Sequence, residues 1–256
     1  MKLESSLRDR RDAGRKLLVP YVTGGMGRGW RDAVRAVADA GADAIEIGIP
    51  FSDPVMDGTT IQEASQRALE LGATPTDIVA GCRDLDVGVP LVVMTYYNPV
   101  HHAGHARFAS MLADAGVDGA IVPDLPLDEL DGWAEAADAA NVETVLLAAP
   151  TTTDARLAAI VQRARGFLYG VSLMGVTGER GALASQAARM GARCKAATDL
   201  PVLLGVGISN PEQAVEAAQH ADGVIVGSAL VRRLLEGGSA ADAGAFVADL
   251  RAALDS

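Results

Sequence analysis

Two carboxylates stand eleven residues apart in the segment Ala44–Gly58, which reads AIEIGIPFSDPVMDG. Glu46 lies inside an apolar run that is typical of a buried strand, whereas Asp57 lies in a loop bounded by Pro and Gly. Burial without a partner raises the pKa of a carboxyl, because it disfavours the charged form, so Glu46 could carry a proton near neutral pH. This spacing predicts that Glu46 is a general acid and makes Asp57 a second candidate catalytic carboxylate.

Both carboxylates also have purely structural interpretations. An Arg or backbone amides could hold Glu46, and an Asp before a Gly, as at Asp57, is ordinary turn chemistry. Alternation along the strand places Glu46 on the face opposite its three neighbouring isoleucines, which we expect to pack beneath helices. Glu46 would then project into a barrel near the end where barrel enzymes keep their chemistry.

Short apolar runs alternate with helical patterns from one end of the chain to the other, which favours a parallel sheet of βαβ units. Eight such runs in 256 residues predict a single (β/α)8 TIM barrel domain over residues 1–256, with an extra N-terminal helix. An open, doubly wound sheet is the alternative. The predicted strands are residues 17–22, 43–49, 90–96, 119–124, 143–149, 166–172, 201–207 and 223–228, and the clearest helices are 32–40, 60–71, 108–115, 128–140, 154–164 and 211–219.

The net charge of -11 argues against nucleic acid or an anionic membrane as a partner, because no basic block could neutralise phosphates. An anionic substrate would have to be held by local backbone dipoles. Two widely separated cysteines and a charged N-terminus without an apolar core predict a cytoplasmic protein without a signal peptide. Every apolar run is the length of a strand, so we expect no membrane span.

Three glycine-rich turns follow the last predicted strands: GVTGERG (175–181), GVGIS (205–209) and VGS (226–228). Barrels commonly bind phosphate with the loops after strands seven and eight, where glycine lets backbone amides come close to an anion. Asn210 and Pro211 suit a helix start, and Ser228 can add a hydroxyl or cap the last helix. Ordinary tight turns remain the alternative.

Other chemistries are disfavoured by the residues that they would need. The only lysines are Lys2, Lys16 and Lys195, and none ends a predicted strand, which disfavours a Schiff-base aldolase on this scaffold. His101 and His105 have metal-ligand spacing in a predicted loop, yet no third ligand is near in sequence, so no metal site is expected. The first strand opens no G-x-G-x-x-G motif, which disfavours a dinucleotide.

The segment EIGIPFSDPVMDG, the loop GVTGERGAL and the turns GVGIS and VGS together resemble the tryptophan synthase α subunit family. The likeness runs over nearly the whole chain. It implies a (β/α)8 barrel that cleaves indole-3-glycerol phosphate to indole and glyceraldehyde 3-phosphate by acid/base retro-aldol chemistry. It also implies a β-subunit partner in an α2β2 assembly, with pyridoxal phosphate in that partner and no cofactor in this chain.

The resemblance carries roles to individual positions. It implies that Glu46 is the catalytic acid/base, that Asp57 meets the indole N–H, and that Thr177 orders Asp57 when a loop closes. The implied phosphate cradle is Gly178, Gly205, Gly207, Gly227 and Ser228, and the positions that line or support the indole pocket are Tyr21, Tyr96, Asp124 and Tyr169. The sequence departs from the family at several places, including Tyr21 and Val206 where the family has Phe, but keeps both carboxylates.

Three other functions stay open at this point. The chain could be a free-standing lyase that supplies indole to specialised metabolism, or a non-catalytic partner that activates a β-like enzyme. The generic phosphate turns also suit another phosphosugar isomerase or epimerase.

Overall fold

The computed structural model describes residues 3–171 and 180–256, and its strands form a closed barrel. All neighbouring strands run parallel, and β1 pairs with both β2 and β8, so the sheet closes and is not an open doubly wound sheet. The strands are β1 Leu17–Thr23, β2 Ile45–Gly48, β3 Leu91–Met94, β4 Gly119–Ile121, β5 Glu143–Ala148, β6 Leu168–Val171, β7 Val202–Gly205 and β8 Gly223–Val226.

Helices follow the strands and form the outer layer, except α1, which precedes β1. They are α1 Leu3–Asp12, α2 Trp30–Asp39, α3 Thr59–Glu70, α4 Pro75–Cys82, α5 Tyr97–Ala103, α6 His105–Asp114, α7 Asp131–Ala139, α8 Asp154–Arg163, α9 Arg180–Ala197, α10 Pro211–Ala218, α11 Ser228–Leu235 and α12 Ala240–Leu254, with a short 3₁₀ turn at Leu127–Glu129. Within the described ranges, no helix combines the length and the apolar character that a membrane crossing needs.

The predicted barrel and its extra N-terminal helix are confirmed, but several predicted boundaries are wrong. Most strands end earlier than their apolar runs, because the last residues of each run leave the sheet to build the loops of the barrel mouth. Helices α4, α5 and α9 were not among the predicted helices. The His101–His105 segment is not a loop: His101 lies in α5, and His105 opens α6 after Gly104, whose φ is 84°.

Apolar side chains pack in two layers, one between the sheet and the helices and one inside the barrel. Ile45 and Ile47 belong to the outer layer, as the alternation along β2 predicts. The inner layer includes Leu3 and Leu7 of α1, both fully buried against inward residues of the strands. Helix α1 therefore fills the amino-terminal end of the barrel with apolar side chains.

A buried carboxylate connects several elements at the amino-terminal end of the barrel. Asp43, fully buried just before β2, accepts hydrogen bonds from Arg10 and Arg15 at 2.8 Å and from Arg251 at 3.2 Å. It also accepts one from the backbone N–H of Leu18 at 2.8 Å. These contacts tie α1, β1, β2 and α12 together at the end opposite the strands' carboxyl termini.

Candidate active site

Glu46 lies in the middle of β2 and points into the barrel. Its backbone pairs with Tyr21 on β1, its side chain is 1% exposed, and its Oε2 atom has no hydrogen-bond partner. Burial, and secondarily the negative charge of Asp57, raises the pKa of Glu46 to about 8. The carboxyl therefore stays mostly protonated at neutral pH, as a general acid requires, and the structural alternative of an Arg partner does not apply.

Asp57 lies in the loop between β2 and α3, and is half-buried. Burial raises its pKa to about 6, and a hydrogen bond from the Tyr96 hydroxyl partly opposes this rise. Tyr96 also accepts a hydrogen bond from the backbone N–H of Met56 at 2.9 Å, and its ring stacks on Phe51 with 4.9 Å between centroids. These contacts hold the Asp57 loop against the end of β3. Asp57 is mostly ionised at neutral pH, whereas Glu46 is not.

Both carboxylates line one cavity of about 280 Å³ at the carboxyl-terminal mouth of the barrel. The cavity brings together most of the residues predicted from sequence, namely Tyr21, Glu46, Asp57, Tyr169, Gly205, Gly207, Gly227 and Ser228. It thus joins a protonated acid, an ionised carboxylate and the late glycine turns in a single space.

The glycine turns after β7 and β8 also line this cavity. Gly207 has a φ of 77°, and open space surrounds the position that a Cβ would occupy. Gly227 precedes Ser228, the first residue of α11, and Asn210 caps α10 by accepting a hydrogen bond from the Gln213 N–H, as predicted. The described lining residues include no Lys or Arg, so an anion bound here would depend on backbone N–H groups.

Two tyrosines stand beside the carboxylates. The Tyr169 ring lies over Gly205, where a Cβ would come within 2.7 Å of the tyrosine hydroxyl, and the Tyr21 hydroxyl occupies the space that a Cβ on Gly48 would need. Burial, together with the nearby carboxylates, raises the pKa of both phenols. Both therefore stay protonated and able to donate a hydrogen bond at any working pH.

The remaining predicted site residues lie elsewhere. Asp124 is exposed and outside the cavity lining, and its Oδ1 atom accepts a hydrogen bond from the Tyr97 N–H at 2.8 Å, next to Tyr96. Its predicted role of supporting the pocket stays a prediction. Thr177 and Gly178 lie outside the described residues.

The described residues that a metal site or a Schiff base would use lie outside the cavity. His105 Nε2 contacts the Tyr97 hydroxyl at 2.9 Å instead of facing an open coordination site. Lys16 donates to the Ala221 carbonyl at 2.9 Å, and Lys195 pairs with Asp222 at 2.8 Å. Asp222 precedes β8, so both described lysines lie toward the amino-terminal end of the barrel, away from the cavity.

Sequence reasoning missed the apolar lining of the cavity. Apolar side chains of several strands and loops and of α3 line the same cavity, which suits a ligand with an apolar ring. Counting alternate residues inward from each strand would have found most of them. They are Ile61, Met94, Ile121, Pro123, Leu147, Val171, Ile208 and Ile225.

A closed (β/α)8 barrel whose mouth holds a protonated and an ionised carboxyl defines an acid–base barrel enzyme. Comparison with known proteins makes the class specific. The family model described as "Tryptophan synthase alpha chain" matches residues 7–252. The chain is 45% identical to the tryptophan synthase alpha chain of Streptomyces coelicolor over 91% of this chain and 88% of that one. The chain belongs to the tryptophan synthase alpha chain family.

Other relatives and solved structures agree with this assignment. The alpha chain of Chloroflexus aurantiacus is 48% identical over 88% of this chain and 86% of its own length. A structure of Mycobacterium tuberculosis tryptophan synthase aligns with a TM-score of 0.91 at 40% identity, covering 98% of this chain and 97% of that one. The subunit alpha of Legionella pneumophila aligns with a TM-score of 0.90 at 34% identity, covering 100% and 99%.

Proposed function

We propose that this chain cleaves indole-3-glycerol phosphate to indole and glyceraldehyde 3-phosphate, as the α subunit of a tryptophan synthase. The observation that carries the proposal is the pair of carboxyls in one cavity, with Glu46 at a pKa of about 8 and Asp57 at about 6. Between these values the site holds one proton donor and one anion. A retro-aldol cleavage needs both.

Each carboxyl has a distinct task in the reaction. Cleavage requires a proton on indole C3, a base for the glyceryl hydroxyl, and stabilisation of the positive charge that develops on N1. Glu46 delivers the proton to C3, and once ionised it can accept the hydroxyl proton. Asp57 receives the indole N–H and offsets the charge on N1. Both tasks suit their surroundings, since Glu46 is almost fully buried and Asp57 is held by Tyr96.

We assign the phosphate to the part of the cavity that the glycine turns line. Gly205, Gly207, Gly227 and Ser228 line the cavity and can offer backbone N–H groups and a hydroxyl, and no described lining residue carries a positive charge. Glycine permits the close approach that main-chain binding of an anion requires. Two further residues complete the proposed site. Gly178 is predicted to belong to the phosphate cradle, and Thr177 is predicted to order Asp57. The chemistry needs neither a Schiff base nor a metal ion.

A β subunit with pyridoxal phosphate is the proposed recipient of the indole. The Mycobacterium tuberculosis neighbour is described as tryptophan synthase, and related structures of it carry an aminoacrylate. We assign pyridoxal phosphate to the partner and no cofactor to this chain. The barrel mouth, where the product would leave, is the face at which such a partner would receive it.

The decisive experiment is to mix the purified chain with indole-3-glycerol phosphate and to measure indole release, with and without a tryptophan synthase β subunit. We expect slow release by the chain alone and strong activation by the β subunit. High turnover without a partner would instead favour a free-standing lyase. Unchanged output from an assembly that carries Glu46→Gln would favour a non-catalytic role. No release under either condition would refute the proposal.

A further inference from the structure

Thr23 ends β1 with a buried hydroxyl that nothing satisfies. Its side chain is 0% exposed, and its Oγ1 atom meets no hydrogen-bond partner of acceptable geometry. Among the side chains that the structure describes, Glu46 Oε2 is the other buried oxygen in this condition. Thr23 pairs with Gly48, two residues beyond Glu46 on β2, so both unsatisfied oxygens lie in one corner of the barrel mouth. A buried polar atom without a partner is unfavourable, so the Thr23 hydroxyl needs a partner among the groups beside it.

Tyr21 is adjacent to both residues, because its backbone pairs with Glu46 across β1 and β2. It lies two residues before Thr23 on β1, so both side chains point inward. The base of its ring is within 3.8 Å of the position that a Cβ on Gly227 would take, and its hydroxyl lies against Gly48. The phenol therefore rises toward the mouth and ends at the level of Thr23. The Thr23 hydroxyl is near enough to oppose the rise in the pKa of Tyr21 that burial and Asp57 cause.

The Tyr21 side chain thus runs from Gly227, in the proposed phosphate turn, to Gly48, two residues beyond Glu46 on β2. If the phosphate is bound near Gly227 and the bond to be broken lies beside Glu46, the glycerol chain must pass over Tyr21. A phenol hydroxyl there can donate to a hydroxyl oxygen of that chain, while its own oxygen accepts from Thr23.

We propose that the Tyr21 hydroxyl donates a hydrogen bond to a hydroxyl oxygen of the glycerol chain, and that Thr23 is a positioning residue that orients it. This inference rests on the proposed function and extends it, because it assigns recognition of the hydroxyls to a side chain. Thr23 Oγ1 donates to Tyr21 Oη, which leaves the single phenol proton directed into the cavity. The pair then satisfies the Thr23 hydroxyl and selects ligands that carry the glycerol hydroxyls.

Two ligands test the proposal with the full chain, alone and with a β subunit. One is indole-3-glycerol phosphate, and the other is 3-(indol-3-yl)propyl phosphate, which keeps the ring and the phosphate but lacks both hydroxyls. Tyr21→Phe should lower kcat/KM for the first about tenfold and leave the affinity for the second, measured by titration calorimetry, unchanged. Thr23→Val should lower kcat/KM about threefold, and Thr23→Ser should recover most of that loss. Tyr97→Phe, outside the cavity, is the matched control.

Each outcome decides a different point. Equal losses with both ligands, or no loss with the hydroxylated substrate, would overturn the proposed contact with Tyr21. Equal behaviour of Thr23→Ser and Thr23→Val would overturn the role of Thr23. Tyr21→Phe and Thr23→Val nearly preserve volume, and thermal unfolding of each variant identifies a folding defect, which would weaken binding of both ligands alike. If the unmutated chain releases no indole, the proposed function fails instead, whatever the variants do.

Discussion

The hydroxyl of Tyr96 accepts a hydrogen bond from the backbone N–H of Met56, 2.9 Å away, and also interacts with the neighbouring Asp57 carboxylate. One side chain at the end of β3 thereby contacts a loop that leaves β2 and lowers the pKa of its carboxyl. The catalytic loop is thus held by a residue outside itself, which makes its contribution measurable.

Replacement of Tyr96 should change the pH dependence of the reaction. Its hydrogen bond lowers the pKa of Asp57, so Tyr96→Phe should raise that pKa and move the acidic limb of the kcat/KM profile to higher pH. We also expect kcat/KM at pH 7 to fall about tenfold, because the loop loses a tether. Steady-state kinetics from pH 5 to 9 test this, with Tyr97→Phe as control. An unmoved acidic limb would contradict the assigned interaction.

The unmutated protein should show a bell-shaped profile. Asp57 must be ionised, so kcat/KM should rise with pH through about 6, and Glu46 must be protonated, so it should fall through about 8. The two carboxyls interact, so the measured values belong to the pair. A profile that is flat across this interval would show that neither carboxyl titrates as the structure implies.

Removal of either carboxyl should impair cleavage while leaving the fold intact. Glu46→Gln keeps the shape of the side chain but cannot carry the proton, and we expect kcat to fall by about 10²–10⁴-fold. Asp57→Asn should lose a comparable factor because the charge on N1 is no longer offset. Glu135→Gln on α7 and Asp53→Asn in the β2 loop, both exposed, are the matched controls. Wild-type rates in Glu46→Gln would remove Glu46 from the mechanism.

Glu46→Gln should also make the fold more stable than that of the unmutated protein at alkaline pH. The folded protein holds the Glu46 proton up to a pKa of about 8, against an ordinary value of 4.5, so it binds more protons than the unfolded chain between these values. Stability should therefore fall as the pH rises from 4.5 to 8. Glu46→Gln removes this loss, so its advantage in denaturant unfolding should grow over that interval. An advantage that does not change with pH would contradict the assigned pKa.

A substitution at the amino-terminal end of the barrel should lower stability without affecting catalysis. Asp43→Asn leaves Arg10, Arg15 and Arg251 facing a neutral group, and we expect the free energy of unfolding to fall by about 3–5 kcal/mol. The kcat measured below the unfolding transition should stay within about twofold of the original, since these contacts lie far from the cavity. Asp39→Asn, exposed at the end of α2, is the control.

The sequence predicted the parts of this fold that depend on local alternation. Period-two patterning correctly placed Glu46 inward and its neighbouring isoleucines outward. It failed where local signals were ambiguous. Helix α5 begins YNP, which is typical of a turn, and α11 begins at Ser228, which was expected to cap a helix, whereas Gly227 is the capping residue.

The cavity lining was harder to predict because it depends on which residues of separate strands come to the same height. Pairing Tyr21 with Glu46, and Thr23 with Gly48, follows from the register between β1 and β2 and not from either strand alone. The unsatisfied Thr23 hydroxyl is a property of this three-dimensional arrangement. No spacing in the sequence marks it.

Leu3 and Leu7, both fully buried, close the barrel at the end opposite the cavity. In the part of the chain that the structure describes, the catalytic space therefore opens toward the rim formed by the loops after the strands. Substrate and both products must therefore pass through the same opening. A β subunit seated there would govern the order of entry and exit as well as receive the indole.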